Sequence, residues 1–282
     1  MNIGIRLHDT LPGTPEERLD AVRQQGFSCI HLAMQKVIPG FKMQDAPELL
    51  TRELAGKVRG ALEDRGIGCA VLGCYLKLAD PDNAAAEKTR RIYEAHLRFA
   101  GWMGAGCVGT ETPPAPAAAG EGEACHTEAL YQLFLERIRP VARFAREEGV
   151  DLAVEPVCSH IIHDAPLAER MLSDLGCDRV KIILDAVNLI DSAHVDCAED
   201  IITDAVRRLG ERTAVLHFKD FVPDPGAPRP TPVACGTGHM YYDALLRLAA
   251  ANGLPITLEN TKPENAQASR LFLERTARQM GI

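Results

Sequence analysis

Long apolar runs and clusters of basic residues are both missing from this sequence. No apolar stretch approaches the roughly 18 residues of a membrane-spanning helix, and the start MNIGIRLHDT lacks the basic and apolar regions of a signal peptide. The net charge of −8 and the pI near 5.6 repel polyanions such as nucleic acid. We therefore expect a soluble, cytoplasmic protein whose partner is a small molecule, with no nucleic-acid partner and no membrane partner.

Paired cysteines are missing as well. None of the nine cysteines belongs to a CxxC pair of the kind that binds zinc. Several lie inside apolar runs such as SCIHLAM and CAVLGCY, where a free thiol behaves as a small hydrophobic side chain. Because disulfides are rare in the reducing cytoplasm, we expect buried, reduced thiols. The positions are Cys29, Cys69, Cys74, Cys107, Cys125, Cys158, Cys177, Cys197 and Cys235.

Eight short apolar runs alternate with amphipathic stretches along the chain. Most runs are continuous in Val, Ile, Leu, Cys and Ala, as in parallel strands that are covered on both faces. This alternation predicts βα units that close into a (β/α)8 TIM barrel of the α/β class. With 282 residues and 46% hydrophobic content, we expect one domain over residues 1–282. The predicted strands are 3–7, 29–34, 69–75, 107–111, 151–157, 181–188, 214–221 and 255–260.

Helix signals occupy the stretches between these runs. Thr14, Pro15 and Glu17 supply an N-cap, a proline at the first helical position and a capping-box glutamate. Apolar residues at helical spacing predict another helix over 126–148. Pro140 lies inside that pattern and should kink or interrupt the helix.

Two segments rich in Pro and Gly interrupt the alternation, at 112–124 and 222–238. Each follows a predicted strand, so both are predicted to be loops over the C-terminal face, where barrel active sites are built. In the second segment, the backbone N–H groups of Gly236 and Gly238 could face a phosphate or a hydroxyl, with Arg229 nearby in sequence.

Four polar residues close the last four predicted strands. They are Glu155, Asp185, His217 and Glu259, at successive intervals of 30, 32 and 42 residues. One strand with its return helix takes roughly 30 residues or more, so each strand delivers one of them to the same end of the barrel. Each alone could be an ordinary hydrogen-bonded residue at a strand end. For the four together, we favour a metal site.

The predicted donor set contains oxygen and nitrogen but no sulfur. Carboxylates with one imidazole suit Mn²⁺, Mg²⁺ or Co²⁺ better than a structural zinc, although Zn²⁺ is compatible with the ligand type. We expect Mn²⁺.

The motifs around these residues resemble a known family. VEPV around Glu155, ILDAVN around Asp185, LHFKD around His217, TLEN around Glu259 and a Gly-x-Gly at 236–238 are similar to the xylose isomerase-like TIM-barrel superfamily, specifically its sugar phosphate isomerase/epimerase branch. The resemblance covers essentially the whole chain. It implies a single divalent ion held by these four residues, with the two glutamates also serving as the acid and the base.

The resemblance implies a metal-dependent isomerase or epimerase of a ketose, a cyclitol or a sugar phosphate. One carboxylate would remove the proton next to a carbonyl, and the other would reprotonate the enediolate. The alternative is a lyase or dehydratase that acts on a keto-sugar, inosose or keto-glycoside by β-elimination. A non-catalytic sugar-binding barrel is disfavoured, because binding alone needs no matched carboxylates. A homo-oligomer, either a dimer or a tetramer, is compatible with the family.

Other polar residues at strand ends are candidates for the substrate pocket. Asn188 stands where several epimerases of the family have a histidine that holds a substrate oxygen, and an asparagine carries no positive charge. Lys219 either holds a sugar or phosphate oxygen or pairs with Asp220 or another carboxylate. The predicted substrate-binding residues are His8, Glu111, His160, Asn188 and Lys219.

Two further histidines have weaker signals. His163 follows the fifth strand and is a further pocket candidate, whereas His31 lies in the middle of the second strand and is predicted to be a hydrogen-bonded core histidine. The endonuclease IV branch of the same superfamily requires extra histidines and a basic DNA-binding surface. Because this sequence has neither, DNA repair is disfavoured.

Overall fold

A computed structural model describes residues 1–113 and 125–282. Eight parallel strands form a closed barrel in which successive strands of the chain lie side by side, and the last strand pairs with the first. The predicted (β/α)8 TIM barrel is therefore confirmed, and each predicted run contains one barrel strand. The barrel strands are β1 (Ile3–Arg6), β2 (Cys29–Leu32), β3 (Gly68–Gly73), β4 (Cys107–Glu111), β5 (Asp151–Glu155), β6 (Val180–Asp185), β7 (Thr213–Phe218) and β10 (Ile256–Leu258).

Helices surround the barrel. The predicted capping box at the first helix is present, since Thr14 Oγ1 accepts a hydrogen bond from the Glu17 N–H and Glu17 Oε2 accepts one from the Thr14 N–H. The helix expected over 126–148 runs from Glu128 to Glu148 and continues through Pro140 without interruption. The helices are α1 (Pro15–Gln24), α2 (Met34–Val37), α3 (Ala46–Leu49), α4 (Arg52–Glu63), α5 (Asn83–Met103), α6 (Glu128–Glu148), α7 (Ala165–Leu175), α8 (Ala198–Leu209), α9 (Asp243–Asn252) and α10 (Ala266–Gln279).

Small apolar side chains fill the interior of the barrel. Cys29 from β2, Cys107 from β4 and Ala153 from β5 belong to one buried cluster with residues of β3, β6 and β7. Burial raises the pKa of the Cys29 thiol to about 12, so it stays a neutral core group. Seven of the nine cysteines are buried, while Cys158 is half-buried and Cys197 is exposed. The expectation of buried thiols is confirmed for those seven.

A short antiparallel hairpin follows β7, where the sequence predicted the end of the seventh strand and then a loop. It pairs β8 (Asp220–Val222) with β9 (Thr231–Val233). The other predicted loop, 112–124, lies from residue 114 onward outside the described residues. No helix in the described ranges is long and apolar enough to cross a membrane.

Asp220 organises the chain that follows this hairpin. Its carboxylate accepts hydrogen bonds from the backbone N–H groups of Gly236, Gly238 and Met240, at 3.1, 2.9 and 2.8 Å, and from the Tyr242 hydroxyl at 3.0 Å. The prediction that the glycine N–H groups face a phosphate is therefore wrong, because a buried side chain already uses them. Asp220 is likewise a structural residue of this loop and does not line the pocket.

The close approach of backbone at Gly238 leads to a stability prediction. A Cβ at this position would lie 2.2 Å from the Phe221 carbonyl oxygen, so we expect Gly238→Ala to lower the free energy of unfolding by about 1–3 kcal/mol. Gly56 in α4 has open space around it, so Gly56→Ala should stabilise by about 0.5–1 kcal/mol through helix propensity. Urea unfolding of both variants measures the difference. Equal midpoints for the two alanine variants would contradict the packing described for Gly238.

Candidate metal centre

The four predicted ligands lie on neighbouring strands at the same end of the barrel. Glu155 and Asp185 are the last residues of β5 and β6, His217 is the penultimate residue of β7, and Glu259 follows β10 directly. Asp185 and His217 are register partners, so their side chains start side by side. All four are buried, with Glu259 the most accessible at 8%. The parallel barrel thus brings the whole predicted set together.

His217 lies at the centre of this group. Its Nδ1 is 3.3 Å from Glu155 Oε2 and 3.3 Å from Glu259 Oε1, and neither ring nitrogen has a hydrogen-bond partner among the described residues. Ligand atoms about 2.0–2.2 Å from one ion lie roughly 3.0–3.4 Å from each other. Candidate donors of Glu155, Asp185 and His217 all lie within 4.8 Å of one another. The residues therefore fit a divalent cation, and the donor set leaves its identity open.

Lys219 balances part of the negative charge. Its Nζ is 2.7 Å from Asp185 Oδ2 and 3.3 Å from Glu259 Oε2, so the predicted carboxylate pairing is confirmed, although the partner is not Asp220. Burial opposes its charge, but Asp185 and Glu259 outweigh burial and raise the pKa of the Lys219 ammonium. The three carboxylates outnumber the two cations that pair with them, Lys219 and Arg6, so the centre keeps a net negative charge that favours a bound cation.

A proton competes with a metal for the same imidazole. Burial disfavours a charged His217, but the Glu155 and Glu259 carboxylates outweigh burial and raise the pKa of His217 to about 9 in the metal-free protein. Since a ligand histidine must be deprotonated, metal binding at neutral pH would release this proton.

Asn188 connects the ligands to the wall of the pocket. Its Nδ2 donates to Glu155 Oε1 at 2.7 Å, and its backbone N–H donates to Asp185 Oδ1 at 3.2 Å. Its Oδ1 accepts from Lys219 Nζ at 2.9 Å and from Arg229 Nη2 at 2.7 Å. The side chain that stands in place of the histidine therefore contacts one proposed ligand carboxylate and two cations, while the Asn188 backbone holds the second carboxylate.

A cavity of about 430 Å³ opens above the centre. All five predicted substrate-binding residues line it, together with Glu259. His163 does not line it, because its ring stacks on His126 with centroids 3.8 Å apart beside a separate cavity. The lining residues for which we made no pocket prediction are Arg6, His31, Ala33, Gln35, Lys36, Tyr75, Val157 and Arg229.

His31 shows the limit of the prediction made for it. The residue is buried, as expected, but its ring stacks on His217 with centroids 5.2 Å apart, and its Nε2 is 3.4 Å from the Tyr75 hydroxyl. Its Nδ1 has no hydrogen-bond partner among the described residues, so it is not the fully hydrogen-bonded core histidine that we predicted. Burial and the neighbouring His217 hold its pKa well below the usual value, which keeps the ring neutral.

Glu111 and His160 face each other across the outer part of the cavity. Glu111 Oε2 lies 3.7 Å from His160 Nδ1. Burial and the Glu155 and Glu259 charges raise the pKa of Glu111 to about 8, whereas burial and the Arg229 charge lower the pKa of His160 to about 4. At neutral pH in the metal-free protein, both side chains are therefore largely uncharged.

The chain belongs to the xylose isomerase-like TIM barrel family, whose model matches residues 19–276. Solved structures with the same fold include sugar epimerases and a dehydratase. The 3-keto-D-glucoside 4-epimerase YcjR from E. coli is 15% identical with a TM-score of 0.74, over 98% of this chain and 99% of that chain. D-Psicose 3-epimerase from Clostridium cellulolyticum H10, solved with D-tagatose, is 17% identical with a TM-score of 0.72, over 98% and 99%.

The dehydratase is the probable 3-DHS dehydratase AsbF from Bacillus anthracis, which is 15% identical with a TM-score of 0.72, over 100% of this chain and 99% of that chain. No curated protein matches the sequence. At these identities the likeness establishes the barrel fold, and the family assignment confirms the resemblance noted in the sequence.

The pKa of Glu111 gives a pH-dependent prediction for the metal-free protein. Because the folded-state pKa is about 8 and the ordinary value is 4.5, the folded protein retains a proton that the unfolded chain loses in this window, and stability falls as pH rises through it. We expect Glu111→Gln to raise Tm at pH 9 by about 2–4 °C, since solvent screening of this partly exposed carboxyl limits the effect to roughly 1 kcal/mol. At pH 5 the change should be small. Thermal melts in EDTA at pH 5 and pH 9 measure the change in Tm, with the exposed Glu211→Gln as control. A gain in Tm that is equal at both pH values would contradict the raised pKa of Glu111.

Proposed function

We propose that this protein is a divalent-metal-dependent isomerase or epimerase that acts on a ketose, a cyclitol or a sugar phosphate. The observation that carries the proposal is the position of His217 Nδ1, which is 3.3 Å from carboxylate oxygens of both Glu155 and Glu259 at the floor of a polar cavity. Two solved structures of the same fold, a 3-keto-D-glucoside 4-epimerase and a D-psicose 3-epimerase, support the choice of substrate class.

Glu155, Asp185, His217 and Glu259 are the proposed metal ligands, and Mn²⁺ is the proposed metal because hard carboxylates with one imidazole suit it. A divalent ion bound there would polarise a substrate carbonyl and its neighbouring hydroxyl, which lowers the cost of removing the adjacent carbon-bound proton. Six buried cysteines have no disulfide partner, namely Cys29, Cys69, Cys74, Cys107, Cys177 and Cys235, and on this basis we place the enzyme in the cytoplasm. We also propose that residues 1–282 act as one domain.

Glu155 and Glu259 are the proposed acid/base pair. Glu155 ends β5 and Glu259 follows β10, with β6 and β7 between them, so the two carboxylates reach His217 from separate strands. One carboxylate takes the proton and the other returns it, which inverts the carbon when the two act on opposite faces. Glu259 is held by Lys219 and by Arg6, whose Nη1 is 3.4 Å from Glu259 Oε1. His8, Glu111, His160, Asn188 and Lys219 would bind the substrate hydroxyls.

A lyase acting on a keto-sugar is the second candidate, and Glu111 is the observation that favours it. In the metal-free protein, burial and then the Glu155 and Glu259 charges raise its pKa to about 8, which makes this carboxyl on the cavity wall the candidate to donate a proton to a leaving hydroxyl. The proton abstraction would be the same as in the epimerase. Solvent deuterium at the carbon next to the carbonyl of recovered ketose favours epimerisation, whereas an unsaturated product favours elimination.

Metal binding tests the proposed ligands. Adding Mn²⁺ to EDTA-treated protein should load one ion per chain, and at 100-fold excess over Kd it should stabilise the fold by about 2.7 kcal/mol. His217→Gln should weaken Mn²⁺ binding at least about 100-fold, because it removes the central imidazole donor. Calorimetric titration measures the number of ions bound per chain and the Mn²⁺ affinity. Glu211→Gln, exposed beyond the opposite end of the barrel, is the control. If His217→Gln binds Mn²⁺ as tightly as the parent protein, the proposed centre is wrong.

Turnover tests the proposed acid/base pair. Glu155→Gln and Glu259→Gln, each assayed at Mn²⁺ concentrations that saturate the variant, should lower deuterium exchange into a panel of ketoses by at least about 100-fold, since proton transfer by a positioned side chain contributes roughly 10²–10⁴-fold. Mass spectrometry of the ketose in D₂O gives the rate. A variant that binds metal and exchanges deuterium at the parent rate would remove that glutamate from the proposed pair.

A further inference from the structure

We propose that Arg229 binds an oxyanion of the substrate, so the natural substrate is a ketose or related keto-sugar that carries a carboxylate or a phosphate. The inference rests on the proposed function, because it assigns the substrate class for the same cavity. Arg229 lies in the loop between β8 and β9 and lines the cavity above the metal centre.

Arg229 differs from Arg6 and Lys219 in having no carboxylate partner among the described residues. Arg6 pairs with Asp9 at 2.8 Å, and Lys219 pairs with Asp185 at 2.7 Å. Arg229 is half-buried and forms no ion pair with any described carboxylate, and its one hydrogen bond to the described residues goes to the neutral Asn188. A partly buried guanidinium without a counter-ion pays a desolvation cost that an anionic ligand would offset.

The hydrogen bond to Asn188 fixes the direction of the guanidinium. Nη2 donates to Asn188 Oδ1 at 2.7 Å, and the same oxygen accepts from Lys219. Asn188 is itself held by Glu155, so Arg229 is anchored one side chain away from the proposed ligands. Its Nε and Nη1 donate to no described residue. Nη2 has a second N–H, which together with that of Nε or Nη1 matches the bidentate geometry of a carboxylate or phosphate.

His160 and Glu111 supply surroundings that accept an anion. The buried Nδ1 of His160 has no hydrogen-bond partner among the described residues, so it can donate to an oxyanion when it carries the ring proton. Arg229 is close enough that its charge helps to lower the pKa of His160. Glu111 Oε2 lies 3.7 Å from His160 Nδ1, and burial raises the pKa of the Glu111 carboxyl, which reduces its repulsion of an anion.

The charge of the cavity wall also favours an anion. Four cationic side chains line it, Arg6, Lys36, Lys219 and Arg229, against two carboxylates, Glu111 and Glu259, although the whole chain carries a net charge of −8. Lys36 also lacks a carboxylate partner among the described residues, but it is exposed on α2 across the barrel mouth. Arg229 is therefore the better ordered of the two unpaired cations.

Three ketoses that differ only at C6 test the proposal: D-fructose, D-fructuronate and D-fructose 6-phosphate. We expect the Mn²⁺-loaded protein to bind one of the two anionic ketoses at least about 10-fold more tightly than fructose in calorimetric titrations. In Arg229→Gln this preference should fall to within about twofold. In Arg229→Lys the preference should be intermediate, because lysine keeps the positive charge but lacks the paired N–H donors of the guanidinium. Preference for fructuronate identifies a carboxylate, and preference for the phosphate ester identifies a phosphate.

Arg247→Gln is the matched control, because it removes the same charge from an exposed position on α9. Arg247→Gln should bind all three ketoses as the parent protein does. Unchanged melting curves and Mn²⁺ affinity in the Arg229 variants would show that their fold and metal centre are intact. The proposal is overturned if neither anionic ketose binds more tightly than fructose, or if the preference survives in Arg229→Gln or disappears in Lys36→Gln instead. Ketose binding and deuterium exchange are measured separately. If Arg229 is needed for the preference for an anionic ketose but no deuterium exchange occurs, the proposed epimerase activity is wrong and the proposed anion site still holds.

Discussion

The repulsion among three buried carboxylates is the constraint around which the active end of this barrel is built. Glu155, Asp185 and Glu259 are almost inaccessible to water, so water cannot screen their charges. The protein compensates with one ammonium, from Lys219, and with the edge of Arg6. A negative charge remains around an imidazole whose nitrogens have no hydrogen-bond partner in the described chain. In the metal-free protein a proton on His217 offsets this charge, and a divalent cation bound there would replace that proton.

The barrel makes such a concentration of charge tolerable because it is rigid. The strands β5, β6, β7 and β10 are neighbours in one closed sheet, and none of their ends can move away from the others without breaking ladder hydrogen bonds. Small side chains pack the interior beneath the centre, including the thiols of Cys29 and Cys107. Asn188 then cross-links the ligands on β5 and β6 to the cations on β7 and the hairpin. The result is a preorganised floor under an open polar cavity.

The loop after the hairpin illustrates how one motif can have a purely structural role. The Gly-x-Gly at 236–238 looked available for a ligand, but the Asp220 carboxylate takes both glycine N–H groups. Gly238 has no room for a side chain because the Phe221 carbonyl lies against its Cα. This arrangement fixes the chain between β9 and α9, next to the hairpin that carries Arg229. The motif therefore contributes to the pocket through the loop that it stabilises.

Local sequence determined the parts of this protein whose signals depend on neighbours in the chain. The apolar runs predicted all eight barrel strands, the Thr14 capping box predicted the start of α1, and polar residues at strand ends predicted the set around His217. The same rule of polar residues at strand ends would also have found Arg6, the last residue of β1, and Tyr75, two residues after β3.

Only the tertiary structure decided which charges meet, because pairing depends on distance across the barrel and not along the chain. Lys219 pairs with Asp185 and Glu259 instead of the adjacent Asp220, and His31 faces the site by stacking on a ring 186 positions later in the chain. Arg229, in a proline-rich segment without any periodic signal, reaches the centre only because the hairpin folds back over it. Side chains brought together by barrel closure leave no local pattern from which their contacts can be read.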